Sequence, residues 1–476
     1  MSRLRSGGAK AYIPLLWLLF LPAAPYFSPG GGYLRISGFK YILYLCLTVP
    51  WLLLTSRKAL EHLRTGLHSP MQWAVLGLLV WSLVSVLFSP WPGVALLGGG
   101  RHEGYVTLLL YGLGCLWISV TWEPGRRPLL WPAMGLGLLD ALCLLQLAGL
   151  DPLGLYPPGM GWRDANVLYP GSYLGSVGNA GSAGAVLCTA SALLFLALLR
   201  RGGKRWLLLI PMLPAGFILG QSHVEAAVLA LTVLLFLSPL AAVRSLNALG
   251  RWLTVAPLVL ICLFPRLWRC LGPLSLAGFT LLCLLRGGER SSPLLRRIIA
   301  AATLTLLALT PLLILHYTGD TSLLLEAGAV LKGDFRDSLG SGRIYIWRQV
   351  LAAVPRSPIL GFGPDTLGLL KLPPYVWYSP EAGKAVISSI DAAHCEYLQT
   401  LICQGMPAAL CHLALPVIAL LRFLRRGDTA AGVCAGGALC YGVQACFGIS
   451  ACAAAPLFWL LLGCSEAMLA KSSRVC

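Results

Sequence analysis

Residues 298–316 read IIAAATLTLLALTPLLILH, and directly after them the chain turns polar from Tyr317 to Gln399. The apolar run is long enough to cross the roughly 30 Å hydrocarbon core of a bilayer as a helix. Similar runs recur near 11–27, 38–55, 71–89, 105–121, 128–149, 179–199, 206–220, 224–243, 252–265, 270–285, 403–421, 430–447 and 454–469. They are Leu/Ala-rich and continuous rather than alternating. That pattern indicates helices and not barrel strands, the only other way to satisfy every backbone polar group in lipid. Hydrophobic residues make up 57% of the 476 and charged residues 11%, too few charges for a soluble surface of this size. The chain therefore reads as an all-α, polytopic transmembrane helical bundle of about 12–14 spans, with one large outer-face loop containing short helices. Residues 1–316 form about eleven spans, 317–399 the loop, and 400–476 about three more. Around Pro265-Arg266-Leu267-Trp268-Arg269, residues 252–285 read either as a hairpin or as one broken helix.

The formal charge of +18 raises the question of nucleic acid, but most Lys and Arg fall in short clusters between apolar runs. That is the pattern of cytoplasmic loops, and nucleic acid is not an expected partner. With the N-terminus inside, 23 of the 36 basic residues face the cytoplasm. The loop then lies outside the cell membrane and both termini inside. Arg3, Arg5 and Lys10 precede a first run without a small-residue cleavage site, so it reads as a retained span. The 16 cysteines lie mostly within apolar segments and form no C-x-x-C pair, so they read as small packing residues. Histidines are scattered, and neither H-E-x-x-H nor Asp-x-Asp occurs, so no metal and no cofactor are expected.

Eight of the 18 carboxylates lie in the 317–399 loop. There Ser341-Gly342-Arg343-Ile344-Tyr345-Ile346-Trp347-Arg348 opens a short helix to about Val354, with Ile344, Trp347, Leu351 and Val354 on one face. Such a helix would lie on the membrane surface with Trp347 at headgroup level. Ile359 to Pro364 carries a tight Gly361-x-Gly363 turn. A later helix is expected to start between Ser388 and Asp391, placing His394 and Tyr397 on one face. Two further outer segments stand out: Ser89 to Gly104 with Arg101 and Glu103, and Asp151 to Asn179 with Arg163.

Gly342-Arg343-x3-Trp347, Pro358-x2-Gly361-x-Gly363-Pro364 and Ala393-His394-x2-Tyr397-Leu398-Gln399, in that order, resemble the O-antigen ligase/polymerase family. Arg101-x-Glu103-Gly104 and Gly175-x2-Gly178-Asn179 add weaker matches. The sequence departs from that family at Cys395, at Ala180-Gly181 and at Ser222-His223-Val224-Glu225, where an arginine usually stands. The resemblance implies a bacterial cytoplasmic-membrane glycosyltransferase in cell-surface polysaccharide assembly. It would move a glycan from a polyprenyl diphosphate to a hydroxyl acceptor, which is a glycolipid, a glycan or a protein. Ligation and polymerisation of repeat units both fit, and a lipid-linked-glycan flippase is the rival from another class.

Such a transfer needs fixed positive charge on the diphosphate, and arginine supplies it by forking onto phosphate oxygens. Arg343 is the first candidate, with Arg101 and Arg163 as helpers. His394 suits a general base or an acceptor-positioning group. Asp391 either orients its ring or caps the helix, Trp347 borders the substrate, and Tyr397 and Gln399 reach sugar hydroxyls. Asp140, deep in a span, is either functional or hydrogen-bonded to a neighbouring helix.

Overall fold

The computed structural model describes residues 8–25, 32–63, 67, 69–125, 127–157, 161–162, 173–222, 224–285, 291–319, 321–379 and 384–472. Among the described residues, 9 helices are long and apolar enough to cross a membrane. They are Ile36–Glu61, Pro70–Leu87, Leu130–Leu147, Ala180–Arg200, Glu225–Ala242, Leu246–Leu263, Pro265–Leu284, Pro293–Leu315 and Glu396–Arg426. The chain is a multi-pass helical membrane protein.

Other apolar runs fold as shorter helices. Leu209–Gln221 has 13 residues, a rise of only ~20 Å, after a 3₁₀ stretch over Gly203–Leu208. Tyr105–Thr121 has 17 residues and Ala430–Gln444 has 15. Apolar length in sequence thus overstates helix length where proline, glycine or a tighter turn ends the ladder.

Ala180–Arg200 is the axis of the bundle and is buried along its whole spanning window. Small residues let its neighbours approach closely. A Cβ on Gly184 would meet Val224 and Ala227 at 2.7 and 3.0 Å, and one on Gly436 would strike Leu196 at 2.2 Å. Leu246–Leu263 and Trp268–Leu284 form a hairpin, joined by the 3₁₀ turn Pro265–Leu267. Gly250 faces Leu282, Gly278 faces Thr254, and Ser275 Oγ donates to Thr254 O at 2.8 Å. Trp268–Leu284 and Pro293–Leu315 keep most of their apolar surface outside the bundle, where lipid covers it. Two small antiparallel hairpins complete the fold, Tyr173–Leu174 with Gly178–Asn179 and Tyr375–Ser379 with Lys384–Ser388.

The loop is locked to the bundle at a break in Glu396–Arg426. Gly405 adopts φ 81°, ψ 173° inside this helix. Pro407 has no N–H, so the Cys403 carbonyl has no helical donor four residues on. Phe362 N (2.9 Å) and Gly363 N (2.6 Å) donate to that carbonyl instead, and Ser85 Oγ does so at 3.1 Å. Met406 N donates to Pro358 O at 2.9 Å, and Trp81 Nε1 donates to Ile359 O at 2.9 Å. A Cβ on Gly405 would lie 1.9 Å from Ile359 O, and one on Gly361 would lie 2.4 Å from Cys403 C. Both positions also have positive φ, so glycine is required twice over.

Gly405→Ala should therefore destabilise the solubilised protein severely, by about 2 kcal/mol or more. Gly272→Ala, in a helix with nothing within 4 Å of the new Cβ, should be neutral or stabilising. Thermal unfolding followed by fluorescence-detected size exclusion compares the two; equal melting temperatures would refute the lock.

Candidate active site

The segment ahead of the Glu396–Arg426 helix is extended, and the helix begins at Glu396 rather than between Ser388 and Asp391. His394 consequently precedes the helix and does not share a helical face with Tyr397. Its φ of 50° is left-handed, which costs a non-glycine residue roughly 1–2 kcal/mol and needs support from its surroundings. That support is a clamp on the preceding residue. Ala393 N donates to Gln399 Oε1 at 2.8 Å, and Trp347 Nε1 donates to Ala393 O at 2.9 Å. Trp347 also packs on Phe447, ring centroids 6.1 Å apart, so its ring is engaged within the protein. Gln399 and Trp347 are thus positioning residues for His394.

Burial depresses His394 to about 4. The charges of Arg343 and Arg101 push the same way, and Asp391 opposes them. At neutral pH the imidazole is uncharged and can accept a proton.

Arg343 begins the Arg343–Ala353 helix, after Gly342 at φ 85°, where a Cβ would meet the Tyr375 ring at 2.7 Å. Its Nη1 donates to Gly340 O at 2.8 Å, while Gly340 N donates to Glu326 Oε2 at 3.0 Å. Its Nε is buried without a hydrogen-bond partner. Burial lowers its pKa, and the carboxylates of Glu225 and Glu326 offset part of that cost. Arg101 arrives from the distant Gly98–Gly104 turn. Its Nη2 pairs with Asp391 Oδ2 at 2.8 Å, and its Nη1 donates to Asp391 O at 3.3 Å. Asp365 fixes that turn by accepting from Gly99 N at 2.6 Å and Glu103 N at 3.3 Å.

The structure brings Arg101, Arg343, Trp347, Asp391, His394, Tyr397 and Gln399 to one region, but it reassigns several. Asp391 pairs with Arg101 and does not cap the helix, whose N-cap Cys395 makes no side-chain capping bond. Tyr397 donates to Gly442 O at 2.8 Å, which ties two helices together, and Gln399 is spent on the Ala393 clamp. Both side chains thus make internal contacts in this structure, and Gln399 also lines the neighbouring cleft. Arg163 lies outside the described residues, as does His223.

Two carboxylates that sequence reasoning gave no role line the adjoining cleft, which encloses about 680 Å³ of space, part of it open to solvent. Glu103 accepts from Tyr111 OH at 2.9 Å and from Ser450 Oγ at 2.7 Å. Glu396 accepts from Tyr441 OH at 2.9 Å. Burial raises Glu103 to about 7, and the nearby Asp365 charge adds to the rise. Glu103 belongs to the Arg101-x-Glu103-Gly104 match and Glu396 falls at an unspecified position between His394 and Tyr397, so proximity to named residues was the available signal. Neither a family model nor a curated protein matches the chain.

The two shifts make opposite predictions for stability. Glu103 holds its proton in the folded state between about 4.5 and 7, so its contribution is lost as pH rises through that window. His394 stays neutral when folded between about 4 and 6.5, so its contribution is lost as pH falls. Relative to wild type, Glu103→Gln should gain stability as pH rises and His394→Gln as pH falls. Melting temperatures across that range check both, and a pH-independent offset for either variant would contradict its assignment.

Proposed function

We propose that the chain is a membrane glycosyltransferase that discharges a polyprenyl-diphosphate-linked glycan onto a hydroxyl acceptor, in the manner of O-antigen ligases. The observation that carries this reading is a neutral imidazole, His394, held in a left-handed conformation beside two guanidiniums from different parts of the chain. A diphosphate spans such a pair of cations, and Arg343 Nε is a buried donor without a partner in the protein. The order of the loop motifs supports the same family resemblance.

The reaction then runs as a displacement at the anomeric carbon. The acceptor oxygen attacks that carbon, and the bond from the carbon to the diphosphate oxygen breaks. Its electron pair leaves with the diphosphate, where Arg343 and Arg101 stabilise the growing charge. The acceptor's proton passes to His394. Trp347 and Gln399 act through the backbone of Ala393, keeping the ring in place before substrate arrives. Ligase and polymerase differ only in the acceptor, and transfer to a protein hydroxyl uses the same chemistry.

A transporter of lipid-linked glycans is the second reading. Polar groups buried among the helices favour it: Lys40, which donates to Phe20 O and Leu21 O, Asp140, neither of whose oxygens has a partner, and Glu396. Membranes containing a labelled polyprenyl-diphosphate glycan separate the two. A transferase discharges the carrier, and Arg343→Ala and His394→Ala should each slow discharge by roughly 10²–10³-fold at matched expression. Labelled lipid that changes leaflet without discharge would establish the transporter instead.

Substrate should also move the base. Burial is the main cause of the low His394 pKa, and a bound diphosphate offsets the two cations that add to it, so the pKa should rise in the complex. The acid limb of kcat/KM should therefore lie near the free-enzyme value of about 4, and that of kcat nearer neutrality. Coincident limbs would argue against a diphosphate seated beside His394.

A further inference from the structure

A second cavity lies at the other end of the bundle. The Glu396–Arg426 helix runs from Glu396 in the cleft to Arg425 and Arg426, whose neighbour Asp428 accepts from Arg200 Nε through its backbone carbonyl at 3.1 Å. Arg200 closes the axial helix Ala180–Arg200, and Ala430, at the cavity wall, opens the next helix. Trp122 directly follows the Tyr105–Thr121 helix, and Leu129 directly precedes Leu130–Leu147. All four residues line one space of about 630 Å³. The cavity is thus set among helix ends on the face opposite His394.

Its walls are apolar, with Trp17, Trp122, Leu193 and Leu461 among them, except for two half-buried guanidiniums, Arg200 and Arg205. Among the described residues, neither arginine is ion-paired. Arg200 binds the Asp428 carbonyl and Arg205 Nη1 donates to Ala197 O at 2.7 Å. The nearby carboxylates are engaged elsewhere: Asp428 pairs with Arg244 at 3.2 Å and Glu123 with Lys471 at 3.7 Å. Arg201 and Arg251 add positive charge around Arg205. Among the described residues, the only carboxylate that offsets the cation at Arg200 is Asp428, itself paired with Arg244, and none offsets that at Arg205, so the cavity suits an anion joined to an apolar chain.

We infer that this cavity binds an anionic phospholipid of the adjacent leaflet, its phosphate between Arg200 and Arg205 and one acyl chain along Trp17, Trp122 and Leu461. Basic pockets between transmembrane helices recognise anionic headgroups in this way. Because the site is on the opposite face from His394, the inference is independent of the proposed transferase chemistry. Its occupant is a resident lipid and not the reacting one.

The test uses the full-length protein in detergent, mixed with phosphatidylglycerol or phosphatidylcholine and examined by native mass spectrometry. Wild type should retain one phosphatidylglycerol per chain, with a preference over phosphatidylcholine of roughly thirtyfold from two arginines. The double variant Arg200→Gln/Arg205→Gln should lose that preference, and Arg297→Gln, which is exposed and outside the cavity, should keep it. Equal retention of both lipids by wild type would overturn the assignment without any variant. So would displacement of the bound lipid by inorganic phosphate, which would mark a simple anion site.

Discussion

One carbonyl oxygen holds the extramembrane loop to the bundle. Pro407 deprives Cys403 O of its helical donor, and a lone acceptor inside a membrane protein costs on the order of several kcal/mol. The chain answers by bringing two loop N–H groups, from Phe362 and Gly363, together with the Ser85 hydroxyl. Everything near His394 depends on that junction. The Ile359–Gly363 turn reaches Gly405 because glycine leaves room, and it places Asp365 where it can accept from Gly99 and Glu103. The Gly98–Gly104 turn is fixed in consequence, and Arg101 is carried to Asp391. A break in one helix thus sets the position of a cation contributed some 300 residues earlier in the chain.

Much of the bundle was legible in the sequence because lipid imposes a simple demand: an uninterrupted apolar helix of sufficient length. Runs such as 179–199, 224–243 and 298–316 meet it and fold as the helices Ala180–Arg200, Glu225–Ala242 and Pro293–Leu315. Helix ends were less legible. Leu209–Gln221 is shortened by a 3₁₀ turn at Gly203–Leu208, and the helix after His394 starts late because Gln399 and Trp347 hold Ala393 in an extended segment. Those are tertiary contacts, invisible to periodicity. The same reasoning explains the reassigned residues. Tyr397 and Gln399 are polar side chains beside a span, and sequence alone cannot distinguish one aimed at a substrate from one satisfying a buried backbone group. Glu103 and Glu396 were hidden for a further reason: each takes a donor from a segment distant in sequence, Ser450 for Glu103 and Tyr441 for Glu396.

Backbone strain gathers around the proposed site, an observation independent of the motifs. Among the described residues, the non-glycine positions with positive φ are His102, Ser341, Asp365, Lys371 and His394. None lies in the axial helices; all belong to the segments that bound the Arg101–Arg343–His394 region. Each left-handed residue carries a cost of roughly 1–2 kcal/mol, and such conformations persist only where surrounding contacts over-determine them. If the Gly98–Gly104 turn and the 317–399 loop merely connected spans, they could relax all five. The contacts that prevent relaxation are the Ala393 clamp at His394, the two backbone donors on Asp365, and the Cys403 junction beneath both. A rigid region of this kind suits chemistry in which charge appears during reaction, because donors already in position need not reorganise when it does. Arg343, with a buried Nε and two flanking carboxylates that do not close on it at ion-pair distance among the described contacts, is held in that state of readiness.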